Sequence, residues 1–430
     1  MVSTRASELL LLLSLACSQA VGHVLRDTEM RQVSGRMLVL KPLSGTHDRL
    51  TRRHVDLDAE SPQAVRLELG SEGISLDMTL TRRSVWTNES RAFEYQDGEL
   101  VEVPLNLDPN CFMAGGLDSG EGSASFSFCD GVSGIVQTPE VEYLVEQTRE
   151  LDSDEDISEV TVSVVDTSVE ERDLEDDEEL VAIEEEERIY FNIDRDSYNS
   201  SEILWKRDMQ DEPAIQRTTR QNKVDITGEI AVYADKNYAD FLKSTGRNTL
   251  AKATTFFANK WNTIARVYGD KSKVGVKFVL QLKQVEVWWT NPRYYRSVQN
   301  NNNLQKHLNP FCSNTRNSKA DHRMLYTAGV GGGVMGLAWI GGICNPNRAC
   351  SIVKNKSLSN LKVELHEFGH NLGFRHEPQM QPCSKPDGFM GWTRTHKFND
   401  CYKRSFVQTY RLRSRDCLRQ TNMKTRVLNG

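Results

Sequence analysis

The sequence predicts an α/β fold for residues 221–430, preceded by a β-rich unit within residues 23–220. Two patterns and a charge boundary predict it. In the second half the apolar period switches between 2 and 3.6, so strands and helices alternate. In the first half the strand period dominates. Between them the charge reverses: residues 221–430 hold 33 Lys+Arg against 13 Asp+Glu, whereas residues 1–220 hold 20 against 47. Residues 150–187 alone carry 19 acidic residues and one basic one, Arg172. Such a run repels itself and cannot build a core, which makes residues 139–188 an acidic linker.

Each element has its own signal. Residues 65–69 (VRLEL) and 125–128 (SFSF) alternate as strands of the first unit. In the second half, residues 228–234 form a strand. Helical material follows from about Lys236, its apolar face built by Phe256, Trp261, Ile264 and Val267. Val274, Val276, Phe278 and Leu280 open a strand that runs to about Trp289. A helix is expected near 304–311, and short strands near 324–327 and 334–340. A last helix spans about 359–372, with Leu361, Leu365, Phe368 and Leu372 toward the core. Roughly 210 residues suffice for one domain with its own core.

The first 22 residues have the build of a secretory signal: Arg5, an apolar core at 9–16, and a cleavage region at 18–20 with small Ser18 and Ala20. That run is too short to span a bilayer, and no later stretch approaches about 18 apolar residues. A secreted, extracellular product without a transmembrane segment is therefore expected. Cysteine usage agrees with an oxidising compartment. Cys17 falls in the signal; Cys111 and Cys129 lie in the first half, and Cys312, Cys344, Cys350, Cys383, Cys401 and Cys417 in the second. Cys111 and Cys129 are expected to pair with each other. Asn88, Asn199 and Asn355 stand in glycosylation sequons.

The chemistry is concentrated at 366–376, HEFGHNLGFRH. His366 and His370, four apart, face the same way on a helix and can bind one zinc ion. Gly373 lets the chain leave the helix through a left-handed turn, and His376 returns as a third nitrogen ligand. Three protein ligands and one open position are the layout of a catalytic zinc. Glu367, beside that position, can act as general base on a water there. Gly336, Leu337 and Ala338 can pair with an extended peptide as an added strand.

The extended string and a later methionine resemble a metzincin zinc endopeptidase, and HEFGHNLG is most similar to the reprolysin (adamalysin) family. GLAWIGGIC at 336–344, FNDC at 398–401 and the Cys417-Leu418 pair extend the resemblance across residues 221–430. It implies a mixed, mostly parallel twisted sheet with a zinc helix and a Met-turn at Met390, Met380 being the rival. It implies one Zn²⁺ and bridges Cys344–Cys417 and Cys383–Cys401, with Cys312–Cys350 as in the thrombospondin-repeat branch. It also brings a Ca²⁺ site in which Glu229 and Asp321 match the acidic ligands. The Cys417 carbonyl and Gln420, where Asn is usual, complete it. The β-rich unit resembles the family's propeptide. Cleavage by a processing convertase is expected after Arg220 in RTTR, with Lys206-Arg207 as a second site.

Three departures stand out. Glu377 follows the third histidine where reprolysins usually carry Asp and astacins carry Glu, but Trp392 occupies the place of the astacin Tyr. No thiol is placed as a zinc-capping switch, so latency is expected from the propeptide itself, with its acidic stretch lying on the basic half. The chain stops soon after Cys417, so further modules are expected to be missing, as in stand-alone arthropod venom-type enzymes. The partners expected are extracellular protein substrates, the convertase, the chain's own propeptide and polyanionic glycans, with no nucleic acid, for a monomer. The competing reading is a non-catalytic or heparin-like-polyanion-binding secreted protein that retains the fold.

Overall fold

The computed structural model describes residues 31–40, 62–166 and 226–419, apart from 71–72, 121, 130, 139–140, 148–156, 271–273, 275–277, 330–334, 355–360, 378–387, 392–397, 400 and 403–416. The expected signal segment, most of the acidic linker, Arg220, Lys206-Arg207, Asn199, Asn355, Met380, Cys383, Trp392 and Gln420 lie outside the described residues.

The first part of the chain forms ten strands: β1 (Arg31–Leu40), β2 (Gln63–Leu69), β3 (Ile74–Arg82), β4 (Trp86–Gln96), β5 (Glu99–Val103), β6 (Phe112–Leu117), β7 (Ser123–Ser127), β8 (Ser133–Gln137), β9 (Val141–Gln147) and β10 (Ile157–Asp166). The last two fall within residues 139–188, expected as an acidic linker; Tyr143, Val145, Val160 and Val162 are buried between the acidic positions and bring this stretch into the barrel. Eight of them close into a barrel of order β1-β10-β9-β8-β7-β6-β3-β2. Every pair is antiparallel. Closure removes the exposed edges of a small sheet. In β2, Val65, Leu67 and Leu69 point inward while Arg66 and Glu68 face out, the period-2 pattern read from the sequence. Met37, Met78, Leu80, Phe126, Val145 and Val162 fill the interior.

The second half runs β11 (Ile226–Ala234), α1 (Lys236–Ser244), α2 (Leu250–Gly269), β12 (Phe278–Trp288), α3 (Arg293–Arg296), α4 (Leu304–Thr315), β13 (His322–Thr327), β14 (Gly336–Ala338), β15 (Cys350–Lys354) and α5 (Leu361–Asn371). Asp235 caps α1 by accepting from Tyr238 N at 2.8 Å, and Thr249 caps α2 by accepting from Lys252 N. The apolar face of α2 sends Phe257, Trp261 and Ile264 into the main core, where Leu365 and Phe368 of α5 join them.

Three details differ from the sequence reading. The strand expected from Val274 begins at Phe278, and Val274 itself has helical conformation. The strand expected at 334–340 is limited to Gly336–Ala338. β15 was not anticipated: it is five residues long and buried throughout, so it shows no alternation.

The largest finding is the extent of the sheet. Its order is β14-β15-β13-β11-β12-β4-β5. β11, β12, β13 and β15 run parallel, and β14 is antiparallel. Beyond β12 lies β4, parallel to it, and then β5. The first half thus supplies two strands to the sheet of the second.

Candidate active site

The site forms where α5 crosses beside β14. His366, Glu367 and His370 lie on α5, and Gly373 ends that helix with φ 98°. Gly373 N donates to His370 O at 2.8 Å and Phe374 N to Gly369 O at 2.9 Å, the paired bonds of a Schellman cap, which requires a left-handed residue. The turn carries His376 back toward the helix. The nitrogen ligand atoms of His366, His370 and His376 lie within 4.8 Å of one another.

The hydrogen bonds settle which nitrogens face inward. His366 Nδ1 donates to Phe389 O at 2.8 Å, and His370 Nδ1 donates to Phe374 O at 2.8 Å. A carbonyl can only accept, so both Nδ1 atoms carry the proton and both Nε2 atoms present lone pairs. His366 Nε2 and His376 Nε2 stand 3.3 Å apart, the spacing of two nitrogens on one tetrahedral zinc with bonds of about 2.0–2.1 Å. Burial, followed by the neighbouring imidazoles, holds His366 and His370 neutral, His370 down to about 3. Three imidazoles with converging ring nitrogens, His366 and His370 held neutral, fit zinc.

Glu367 is 5% exposed and packs on the sheet-terminal strand. A Cβ built on Gly336 would lie 2.4 Å from Glu367 Oε1, so only glycine lets the carboxylate approach the strand this closely. Leu337 and Ala338 pair with Ile352 and Ser351 of β15 on one side, and β14 ends the sheet on the other. An extended peptide could add there.

Below the helix, Met390 fits the role of a Met-turn. A Cβ on Gly369 would meet Met390 Sδ at 2.7 Å, so the thioether lies directly under the ligand helix. Glu377 explains its own departure from the family pattern. Fully buried, it accepts from Gly388 N at 2.9 Å, from Asn399 Nδ2 at 2.6 Å and from the Tyr402 hydroxyl. Tyr402 OH in turn accepts from Met390 N at 3.0 Å. Glu377 therefore ties the His376 segment to the Met390 turn. Asn371 anchors the other end of α5. Its amide donates to Trp339 O and Arg348 O, and its oxygen faces His322 Nδ1. Sequence reading noted Glu377 only as a departure and missed Tyr402, Asn371 and His322, because their partners are remote in the chain.

The disulfides are Cys111–Cys129, Cys312–Cys350 and Cys344–Cys417. Cys401 is also disulfide-bonded. Glu229 and Asp321 are both buried and adjacent: Glu229 N donates to Asp321 Oδ2 at 2.9 Å. Asp321 also lies against the Cys344–Cys417 bridge. Burial, aided by the charge of Glu229, pushes Asp321 up to about 8. The Lys283 ammonium, 3.8 Å from Glu229 Oε1, supplies a positive charge there. Asn88 is exposed.

A mixed sheet with one short terminal strand, a helix bearing HExxH and three converging imidazoles define the class of a metal-dependent peptidase. A family model described as Metallo-peptidase family M12, reprolysin type, matches residues 224–399. Residues 224–399 are thus similar to the reprolysin-type metzincins, a zinc-dependent family.

Two relatives show the same affinity. The human protein "A disintegrin and metalloproteinase with thrombospondin motifs 6" is 20% identical over 374 residues, covering 78% of this chain and 32% of that protein. Snake venom metalloproteinase atroxlysin-1 of Bothrops atrox is 29% identical over 102 residues, 22% of this chain and 49% of that protein. The chain thus spans about a third of the first and half of the second. A solved structure described as a chaperone-substrate complex aligns over 43% of this chain and 36% of that chain, at 12% identity and TM-score 0.29, too low to bear on the fold. Among the described residues, no helix is long and apolar enough to cross a membrane.

Proposed function

We propose that this chain is a secreted zinc endopeptidase, made as a zymogen, that cleaves extracellular proteins. The observation that carries the reading is the convergence of three imidazoles beside Glu367, itself packed on Gly336 of the sheet-terminal strand. His366, His370 and His376 would hold the zinc, which when bound supplies a Lewis acid that lowers the pKa of a water to about 7 and polarises a carbonyl. Gly336, Leu337 and Ala338 align the peptide through main-chain bonds, so that its scissile carbonyl lies over the histidines. Glu367 takes the water's proton at its carboxylate as attack proceeds and passes it to the leaving amine. Its burial excludes bulk water from that transfer.

Residues 23–220 act as the propeptide in this reading, removed or cut after Arg220. Glu229 and Asp321 would hold a Ca²⁺ ion, which would offset the charge of two buried carboxyls beside the Cys344–Cys417 bridge. A venom role is supported by the snake relative's name. The test is hydrolysis of a generic protein substrate by the processed enzyme. A zinc chelator should abolish it and added zinc should restore it. Hydrolysis that persists without metal would exclude the assignment.

A further inference from the structure

The expected propeptide is joined to the catalytic half far more deeply than a removable cover would be. β4 continues the catalytic sheet, with Leu282 opposite Trp86 and Trp288 opposite Tyr95. Leu282 N donates to Val85 O at 2.8 Å and Ser90 Oγ to Leu282 O at 2.7 Å. Val85, Trp86, Phe112, Ile135 and Leu144 share one apolar core with Trp261, Ile264, Leu361 and Leu365. Buried amides cross the seam as well: Val85 N donates to Asn262 Oδ1 at 2.7 Å, and Asn259 Nδ2 to Ser133 O at 3.1 Å. A core cut in two is the character of an obligate interface, not a transient one. Separation would leave β12 as an open edge and strand buried polar groups.

This contact lies at the far end of the sheet from the substrate strand: β5 and β14 are its two termini. Yet the barrel reaches the zinc helix from behind. Glu142 of β9 is fully buried, and its Oε1 accepts from Leu361 N, the first residue of α5, at 3.1 Å. A carboxylate at a helix N-terminus satisfies an orphan donor and complements the dipole. The charge of Glu142 also reaches Glu364, which forms a fully buried ion pair with Lys260 of α2.

We propose that residues 31–166 remain bound to the catalytic half after the connector 167–225 is cut, as a resident partner rather than a discarded cover. Glu142 is then a positioning residue that holds the first turn of the zinc helix and, through it, His366 and His370. This does not depend on the catalytic assignment and can be read in Glu367→Gln protein, which cannot digest itself.

A site-specific protease sequence placed within residues 190–205 of the full chain allows the cut, followed by size exclusion in 1 M NaCl. At that salt the Debye length is about 3 Å, so attraction between the charged halves is screened. The two fragments should elute together; separate elution overturns resident binding. In the uncut chain, chelator competition should show zinc held about tenfold more weakly in Glu142→Ala. Glu142→Gln, which keeps an acceptor oxygen, should stay within about twofold of the parent. Amide exchange across Leu361–Asn371 should quicken in Glu142→Ala only. If Glu142→Ala does not fold, Glu142→Asp, which shortens the reach, takes its place with the same expected loss. Unchanged zinc binding, or equal loss in Glu142→Gln, overturns the positioning role.

Discussion

Glu367 and Gly336 are the residues on which the proposed chemistry turns, and each makes a separable claim. Glu367→Gln is nearly isosteric and removes only the base. Zinc content and folding should be unchanged, while turnover falls by at least about 100-fold. Near-normal peptidase activity in that variant would remove Glu367 from the mechanism. Gly336→Ala adds one methyl where the carboxylate already sits, 2.4 Å from the added carbon. The carboxylate or the strand must shift, and misplacement of about 1 Å costs up to about 100-fold. We expect kcat to fall by about tenfold or more at constant zinc content, measured by steady-state kinetics beside metal analysis.

At the scale of elements, α5 was the most legible part of the chain. Its paired histidines, its core face and its terminating glycine all follow local spacing, and His366, His370 and Gly373 stand as that spacing requires. What surrounds the helix was not legible. Glu377, Tyr402 and Met390 meet through loops, where no period relates one residue to the next. β15 was hidden because a wholly buried five-residue strand has no pattern of its own.

A helix cap offers a test of element stability. Burial raises Asp235 at the start of α1 to about 6 from an ordinary 3.8. The folded state therefore keeps this proton to higher pH than the unfolded chain. Its contribution to stability is full below about pH 4, declines as pH rises and levels off above about 6. Asp235→Asn keeps a capping oxygen but cannot titrate. The wild-type stability, taken relative to the variant, should decline across that window by roughly 2–3 kcal/mol, from 1.36 kcal/mol per pKa unit. Urea midpoints at pH 4, 5, 6 and 7 would show it, and a flat difference would count against it.

For the whole molecule, composition divided the chain correctly in charge but not in structure. Acidic and basic halves met at about residue 220, yet the sheet runs across that line. The pairing of Trp86 with Leu282 joins strands far apart in sequence, and β4 itself (WTNESRAFEYQ) does not alternate. No local signal could announce it. The processing prediction still belongs at this scale. Active secreted material should contain a chain that begins at Gln221. N-terminal sequencing that found Asp208 instead, or an intact chain with full activity, would reject cleavage after Arg220.

The two ends of the sheet differ in what they offer another strand. β5 ends one side with exposed Glu99 and with Glu102 engaged by Arg91 at 3.3 Å, and carboxylates on an edge discourage pairing with a further chain. β14 ends the other side with Gly336-Leu337-Ala338, which carries no charge. An arriving polypeptide in extended form therefore meets one hospitable border and one guarded one. In the proposed reading, foreign main chain is drawn to the border beside the histidines, and the charged border disfavours edge-to-edge stacking of copies.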